Sequence, residues 1–123
     1  MRVLVLDDEE VRHDWFTEHC ESGTITHVNT VDRAREWLSG PWHTYDWLCL
    51  DHDLGTEPIS GRDLATWLIN NPDVQPRLKT LIHTVNFVSG PKILRELTAA
   101  NRPAWWRPFN ALAQEGRLDL SAM

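Results

Sequence analysis

The segment Val3-Leu4-Val5-Leu6-Asp7-Asp8 decides the fold, because four apolar residues run directly into two carboxylates. A second apolar run, Trp47 to Leu50, is followed by Asp51-His52-Asp53. A third strand-like segment, Leu78 to Ile82, leads into His83-Thr84. Short segments of this kind are typical of buried parallel strands. The carboxyl ends of parallel strands open on one crevice, so we expect these polar residues to converge there.

Strand and helix patterns alternate along the whole chain, which indicates an α/β fold with a parallel sheet. The predicted strands are residues 3–6, 25–29, 45–50, 78–84 and 104–107. The predicted helices are residues 11–20, 30–39, 60–69, 89–100 and 109–114, with Thr30, Ser60 or Asp63, and Ser89 as expected caps. This tally predicts a single domain, residues 1–123, with a flavodoxin-like, doubly wound five-stranded parallel sheet in the order 2-1-3-4-5.

The composition argues against two classes of function. Lys and Arg total 12 against 18 Asp and Glu, and a net charge of −6 argues against broad binding to nucleic-acid backbones. No apolar run approaches the ~18 residues that a membrane-spanning helix needs. The first residues hold too few apolar side chains for a signal peptide, and Cys20 and Cys49 are expected to be reduced thiols. We therefore expect a cytoplasmic protein.

The carboxylates at the strand ends predict a metal site. If the first and third strands are neighbours, Asp7, Asp8 and Asp51 come within reach of one cation, which would offset their mutual repulsion. Asp53 lies two positions after Asp51, so the two-residue period of a strand returns it to the same side as a further ligand. The expected cofactor is Mg²⁺ or Mn²⁺, because hard cations prefer oxygen ligands. The alternative is that Asp7 and Asp8 stabilise the positive end of the first helix.

Over nearly its whole length the chain resembles the receiver domain of two-component response regulators. The matching features are VLVLDDE at residues 3–9, an aspartate closing a buried strand at Asp51, the hydroxyl of Thr84 and the pair Arg107-Pro108. The resemblance implies a CheY-like fold in which Asp7, Asp8 and Asp51 hold Mg²⁺. It also implies that Asp51 accepts a phosphoryl group, which Thr84 and Arg107 contact.

The chain departs from the receiver pattern at three positions. Gly55 stands where the family has proline, and Val85 stands where it has a small residue. Arg107 replaces a lysine, and the planar guanidinium binds phosphate in a two-pronged manner that an ammonium does not reproduce. The switch machinery is therefore expected to differ while the metal pocket is kept.

A divergent branch of the receiver family is more similar to this chain. The matching strings are LDHDLG at residues 50–55, HTVN at residues 83–86, and Asp7-Asp8-Glu9 followed by Arg12. The branch comprises receiver-like domains predicted to process cyclic phosphates, in bacterial and phage contexts. The resemblance implies a substrate such as a cyclic nucleotide or an RNA 2′,3′-cyclic phosphate end.

Several other side chains are candidates for the site, each with a structural alternative. His52 and His83 could move protons near neutral pH, or could serve as hydrogen-bonding neighbours of the metal ligands. Arg12 could clamp a phosphate or lie solvated on the surface, and Asn86 could donate to a phosphate or shape a turn. Two tryptophans have base stacking as an alternative to core packing: Trp42 and Trp106.

Three functions fit these observations. The first is metal-dependent hydrolysis of a cyclic phosphate, with Asp51, His52 and His83 as catalytic residues. In that reading Arg12, Thr84, Asn86 and Arg107 bind phosphate. The second is a receiver phosphorylated on Asp51, and the third is a non-enzymatic module that binds a nucleotide or a protein. The expected partner is a phosphorylated small molecule or an RNA end, and the oligomeric state is left open.

Overall fold

A computed structural model describes residues 1–41, 43–55 and 58–123. The strands are β1 (Arg2–Leu6), β2 (Cys20–Glu21), β3 (Thr24–Val28), β4 (Trp47–Leu50), β5 (Lys79–Ile82), β6 (Ala104–Trp106) and β7 (Leu118–Asp119). The helices are α1 (Glu10–His19), α2 (Val31–Ser39), α3 (Gly61–Asn70), α4 (Ser89–Ala99) and α5 (Phe109–Glu115), and a 3₁₀ turn (Leu120–Ala122) ends the described chain.

Five strands form a parallel sheet in the order β3-β1-β4-β5-β6. Counted among these five strands alone, this is the predicted order 2-1-3-4-5, which is confirmed. The sequence did not predict the small parallel sheet of β2 and β7. Its strands have two residues each, too few for an alternating pattern to be visible, and the predicted first helix extends through Cys20, which the structure places in β2.

Alternate residues of the strands enter two separate cores, as a doubly wound sheet requires. Leu4, Leu6, Leu48 and Leu50 pack against α2, α3 and α4 on one face. On the other face the buried strand residues are Val3, Val5, Trp47, Cys49 and Leu81, which pack with residues of α1 and α5. Both faces of the sheet are covered, and the ends of the strands are left open to build a site.

Polar caps start three of the helices. Thr30 Oγ1 accepts a hydrogen bond from the amide of Arg33 at 3.2 Å, which confirms the predicted cap of α2. Ser60 caps α3, and the carboxylate of its partner Asp63 accepts from the Ser60 amide at 2.7 Å. The predicted cap of α4 is wrong. Ser89 is already helical, and the capping atom is Oδ1 of Asn86, which accepts from the amides of Val88 and Ser89 at 3.0 and 2.9 Å.

The amino-terminal end of the sheet is held by Arg102 and Gln75. Arg102 is buried, and its guanidinium donates to four backbone carbonyls at 2.6–3.0 Å, those of Leu68, Asn71, Val74 and Gln75. The Gln75 side chain accepts from the amide of Tyr45 at 2.9 Å and donates to the carbonyls of Leu38 and His43 at 3.1 and 2.9 Å. These bonds tie the loops before β4, β5 and β6 together.

Cys20 and Cys49 are buried and free of a disulfide, as expected. Burial raises the pKa of the Cys20 thiol to about 11, so it is a neutral packing group at physiological pH. Within the described part of the chain, no helix combines the length and the apolar character needed to cross a bilayer.

Candidate metal and phosphate site

The register of the sheet brings Asp7, Asp51 and His83 together. The last residues of β1, β4 and β5 lie opposite one another, and these three residues come next. The ladder continues one step, because the amide of Asp51 donates to the last carbonyl of β1 at 3.1 Å and the amide of His83 to that of β4 at 3.0 Å. One ligand atom of each residue lies within 4.8 Å of the others, and across residues 1–41, 43–55 and 58–123 no second cluster of three such groups is found.

His83 is turned into the protein. Its side chain is fully buried, Nε2 lies 2.8 Å from Oδ2 of Asp7, and the rings of Phe16 and Phe109 lie 5.0 and 6.4 Å from its own. Burial lowers the pKa of His83, so the ring is neutral. The partner at Nε2 assigns the proton to that atom, which leaves Nδ1 as a buried nitrogen without a hydrogen bond. His83 therefore positions the Asp7 carboxylate.

Asp7 and Asp51 differ in pKa although both are buried. Burial alone would raise the pKa of Asp7, but the hydrogen bond from His83 and the amide of Glu9 at 2.9 Å hold it below its usual value. Burial, and then the negative charge of Asp7, raise the pKa of Asp51 to about 7. The two carboxylates thus lie close together, and the positive charge around them is too small to balance two negative charges.

The positive charge at this point comes from Arg12 on α1. Its Nη1 lies 3.3 Å from Oδ1 of Asp7 and 3.4 Å from Oδ2 of Asp51, so one nitrogen bridges the two carboxylates. Nη2 lies 3.6 Å from Glu9, and the guanidinium stands 5.6 Å from the centre of the Phe109 ring. The sequence predicted Arg12 as a phosphate clamp; in the structure it contacts the two carboxylates.

The other acidic candidates are exposed. Asp8 lies beside the loop after β4, where its Oδ2 is 3.0 Å from the position that a Cβ on Gly55 would take. Gly55 has φ +66°, a conformation that favours glycine. Asp53 is also exposed, and its Oδ1 pairs with Nδ1 of His52 at 2.9 Å. His52 itself is half-buried, one residue after Asp51.

The three phosphate candidates on the later strand ends occupy different environments. Thr84 is buried beside His83, and its hydroxyl accepts from the amide of Asn86 at 3.2 Å. The side-chain oxygen of Asn86 is used in the cap of α4, as the turn-shaping alternative required. Arg107 is half-buried and forms an ion pair with Glu115 on α5. Of the predicted cations, only Arg12 contacts the carboxylate pair.

Trp106 packs against the core and donates its indole N–H to the carbonyl of Thr84 at 2.9 Å, which favours the packing alternative over base stacking. Trp42 lies outside the described residues.

Sequence reasoning missed two residues that shape this site. Phe109 lies against both His83 and Arg12, and the order of the sheet was the only signal that could have placed it there. Gly61 begins α3 so close to β4 that a Cβ would come within 1.7 Å of the carbonyl oxygen of Asp51. A glycine directly after a predicted cap is the signal that was available for this close approach.

The donor set fits a hard divalent cation. Asp7 and Asp51 are two buried carboxylates close to each other, and exposed Asp8 lies beside them. Burial, and then the charge of Asp7, raise the pKa of Asp51. Carboxylate oxygens are the ligands that Mg²⁺ uses, and a cation between them would remove the repulsion. Asp7 and Asp51 are therefore the residues that would hold it, with Asp8 beside them.

The family model described as the cyclic-phosphate processing receiver domain matches residues 2–99. The chain belongs to this receiver family. The resemblance drawn from the strand-end motifs is thus confirmed. No curated protein matches the chain.

Solved receiver structures share the fold. The response regulator TrrA of Thermotoga maritima, solved in complex with Mg²⁺ and BeF, superposes with a TM-score of 0.62 at 23% identity, over 93% of this chain and 92% of that chain. The chemotaxis protein CheY4 of Vibrio cholerae gives a TM-score of 0.65 at 12% identity, over 93% of each chain. The receiver domain of a LuxO repressor protein from Vibrio parahaemolyticus gives 0.60 at 18% identity, over 93% of this chain and 83% of that chain. The CheY-like fold is established by these likenesses.

Proposed function

We propose that this receiver domain binds a cyclic phosphate through a divalent cation held by Asp7 and Asp51, and hydrolyses it to a phosphomonoester. The observation that carries the proposal is the His52–Asp53 pair. It places an oriented, half-buried imidazole one residue after a carboxylate of the candidate metal site. A cation bound there would stabilise the negative charge that develops on the phosphate oxygens. The family description and the bound Mg²⁺ of TrrA agree with this chemistry.

The residues of the chain divide the work of this reaction. Water adds to phosphorus, one ring P–O bond breaks, and the leaving oxygen takes a proton. The Asp53 carboxylate binds Nδ1 of His52, which leaves Nε2 as the nitrogen that exchanges this proton. Asp7 is held in position by His83, and the hydroxyl of Thr84 keeps its own proton for donation to a phosphate oxygen.

A second function is favoured by the position of Asp51. It is buried at the carboxyl end of β4, the middle strand of a fold that response regulators share. In this alternative Asp51 attacks a phosphoryl donor, and the resulting acyl phosphate changes the conformation of the domain. The His52–Asp53 pair has no part in that reaction, so His52 separates the two functions.

The test uses the protein with Mg²⁺ or Mn²⁺ and a panel of 2′,3′-cyclic nucleotides, 3′,5′-cyclic nucleotides and an RNA with a 2′,3′-cyclic phosphate end, followed by ³¹P NMR. We expect turnover by the wild-type protein and a loss of about 10²–10⁴-fold in His52→Gln, the range for removal of a general acid or base. His43→Gln is the matched control, because His43 is a half-buried histidine at the opposite end of the sheet.

The opposite result is equally definite. If no cyclic phosphate is turned over, and a small-molecule phosphoryl donor labels wild-type and His52→Gln protein equally but not Asp51→Asn, then Asp51 is a phosphate acceptor. The hydrolase proposal would be rejected in that case.

A further inference from the structure

Arg12 occupies the position that a cation between Asp7 and Asp51 requires. Its Nη1 is 3.3 Å from Oδ1 and 3.5 Å from Oδ2 of Asp7, and 3.4 Å from Oδ2 of Asp51. The guanidinium and a divalent cation would therefore use the same carboxylate oxygens. Both cannot make these contacts at once.

The contacts of Arg12 to the carboxylates are long for charged hydrogen bonds, which are usually about 2.7–2.9 Å. By comparison, Arg62 holds Glu96 at 2.8 and 2.9 Å on the surface of the same protein. A single nitrogen shared among three oxygens cannot reach the optimal distance to all of them. Arg12 thus offsets part of the negative charge of the pair without being locked to either member.

Arg12 also has contacts that it could keep after leaving the carboxylates. Its side chain is 20% exposed, Nη2 lies 3.6 Å from Glu9 at the protein surface, and the guanidinium stands against the face of Phe109. Glu9 directly precedes α1, and Phe109 begins α5. A small movement of the head group toward solvent would retain them and release both aspartates.

We propose that Arg12 is a displaceable internal cation: it bridges Asp7 and Asp51 in the metal-free chain, and entry of a divalent cation releases it to bind the phosphate oxygens of the ligand. The inference rests on the metal and phosphate binding of the proposed function, and it is independent of whether the phosphate is hydrolysed. The cation and Arg12 compete for the aspartates, while the cation and Arg12 both attract the phosphate. Loss of Arg12 therefore has opposite effects on the two ligands.

The experiment measures two affinities by calorimetry, that of Mg²⁺ alone and that of inorganic phosphate at saturating Mg²⁺. For Arg12→Gln we expect Mg²⁺ to bind at least about fivefold more tightly, the equivalent of one ion pair removed from competition. We expect phosphate to bind about tenfold or more weakly, because charged hydrogen bonds are lost. Circular dichroism verifies that the variant is folded.

Arg33→Gln is the matched control. Arg33 Nη1 lies 3.3 Å from Glu36, the same N–O distance, but this pair is exposed on α2. The substitution removes the same charge without touching the strand ends, so both affinities should stay within about twofold of the wild type, as exposed pairs contribute little. If Arg33→Gln changes both affinities as much as Arg12→Gln does, the effect comes from the net charge of the protein, and the inference is overturned.

A direct readout follows the Arg12 Nε–H resonance in ¹⁵N NMR spectra. We expect Mg²⁺ to shift it in the wild type and not in Asp51→Asn. Unchanged or weaker Mg²⁺ binding by Arg12→Gln, or unchanged phosphate binding, would overturn the inference. Absence of Mg²⁺ binding by both proteins would also overturn it, whereas binding by Arg12→Gln alone would support it. Failure of turnover with these affinities as expected would reject the hydrolase function and leave the role of Arg12 standing.

Discussion

Arg102 and Asp51 are buried charged residues at opposite ends of the same sheet, and their surroundings differ in kind. Arg102 donates to four backbone carbonyls at 2.6–3.0 Å, so its guanidinium is enclosed by neutral acceptors that are fixed in place. Asp51 lies against another carboxylate, that of Asp7. The positive charge closest to it is the guanidinium of Arg12, at the long distance of 3.4 Å.

The difference teaches how the fold divides stability from function. The amino-terminal end satisfies its buried charge within the chain, so Arg102 acts as a structural cross-link between loops. The carboxyl end buries two acids whose repulsion is relieved best by a group that the chain does not supply. Buried charge that is not fully satisfied is costly, which is the physical basis for proposing a cation site at this end of the sheet.

The largest expected effect is at Arg102. Arg102→Met removes the guanidinium that donates to four backbone carbonyls, and we expect a loss of about 3–5 kcal/mol in the free energy of unfolding, because several hydrogen bonds to one charged group are lost together. Arg102→Lys, with fewer donors, should lose less. Urea unfolding measures both. A loss under about 1 kcal/mol in Arg102→Met would show that water replaces the guanidinium freely.

A substitution at Asp51 is expected to raise the free energy of unfolding at high pH. Its folded pKa of about 7 lies above the reference value of 3.8, so its favourable contribution is complete below about pH 4 and is lost as the pH rises through 7. Asp51→Asn removes this loss, and at pH 8 the metal-free variant should be more stable than the wild type by up to about 4 kcal/mol. At pH 4 the two proteins should unfold alike. Equal stability at both pH values would contradict the raised pKa that burial and the charge of Asp7 give to Asp51.

A smaller loss is expected when the support of Asp7 is removed. His83→Phe fills the same apolar surroundings but deletes the bond from Nε2 to Asp7, and we expect a loss of about 1–3 kcal/mol. Because this bond also holds the pKa of Asp7 below its usual value, that pKa should rise in the variant. Thermal unfolding and ¹³C NMR titration of the carboxyl groups measure the two effects. If the pKa of Asp7 in His83→Phe stays as low as in the wild type, His83 does not position and stabilise this carboxylate.

The smallest effect is expected beside Arg102. Asn101 has φ +61°, a left-handed conformation in which glycine is favoured. Asn101→Gly should change the free energy of unfolding by only a few tenths of a kcal/mol, because asparagine tolerates this conformation well. Chemical denaturation with the wild type as reference is sufficient. A loss above about 1 kcal/mol would show that the Asn101 side chain helps to stabilise the amino-terminal end of the sheet.

The sequence predicted the carboxyl end of the sheet better than the amino end. The apolar runs that end at Asp7 and Asp51 predict where the strands lie. Because parallel strands end at the same edge of the sheet, they also predict that the two aspartates lie close together. Arg102 gave no signal, because its partners are backbone carbonyls that any sequence possesses. The inward turn of His83 was also out of reach, since it depends on Phe16 and Phe109 from two distant helices. Contacts of this kind are set by packing across the fold.

Calorimetric titration with Mg²⁺ at pH 7.5, on the wild type and Asp51→Asn, tests the central claim most directly. The claim is that Asp7 and Asp51 form a cation site at the carboxyl end of the sheet. The account predicts one Mg²⁺ per wild-type chain and loss of that binding in Asp51→Asn. Equal binding by the two proteins, or absence of binding by the wild type and by Arg12→Gln alike, would contradict it.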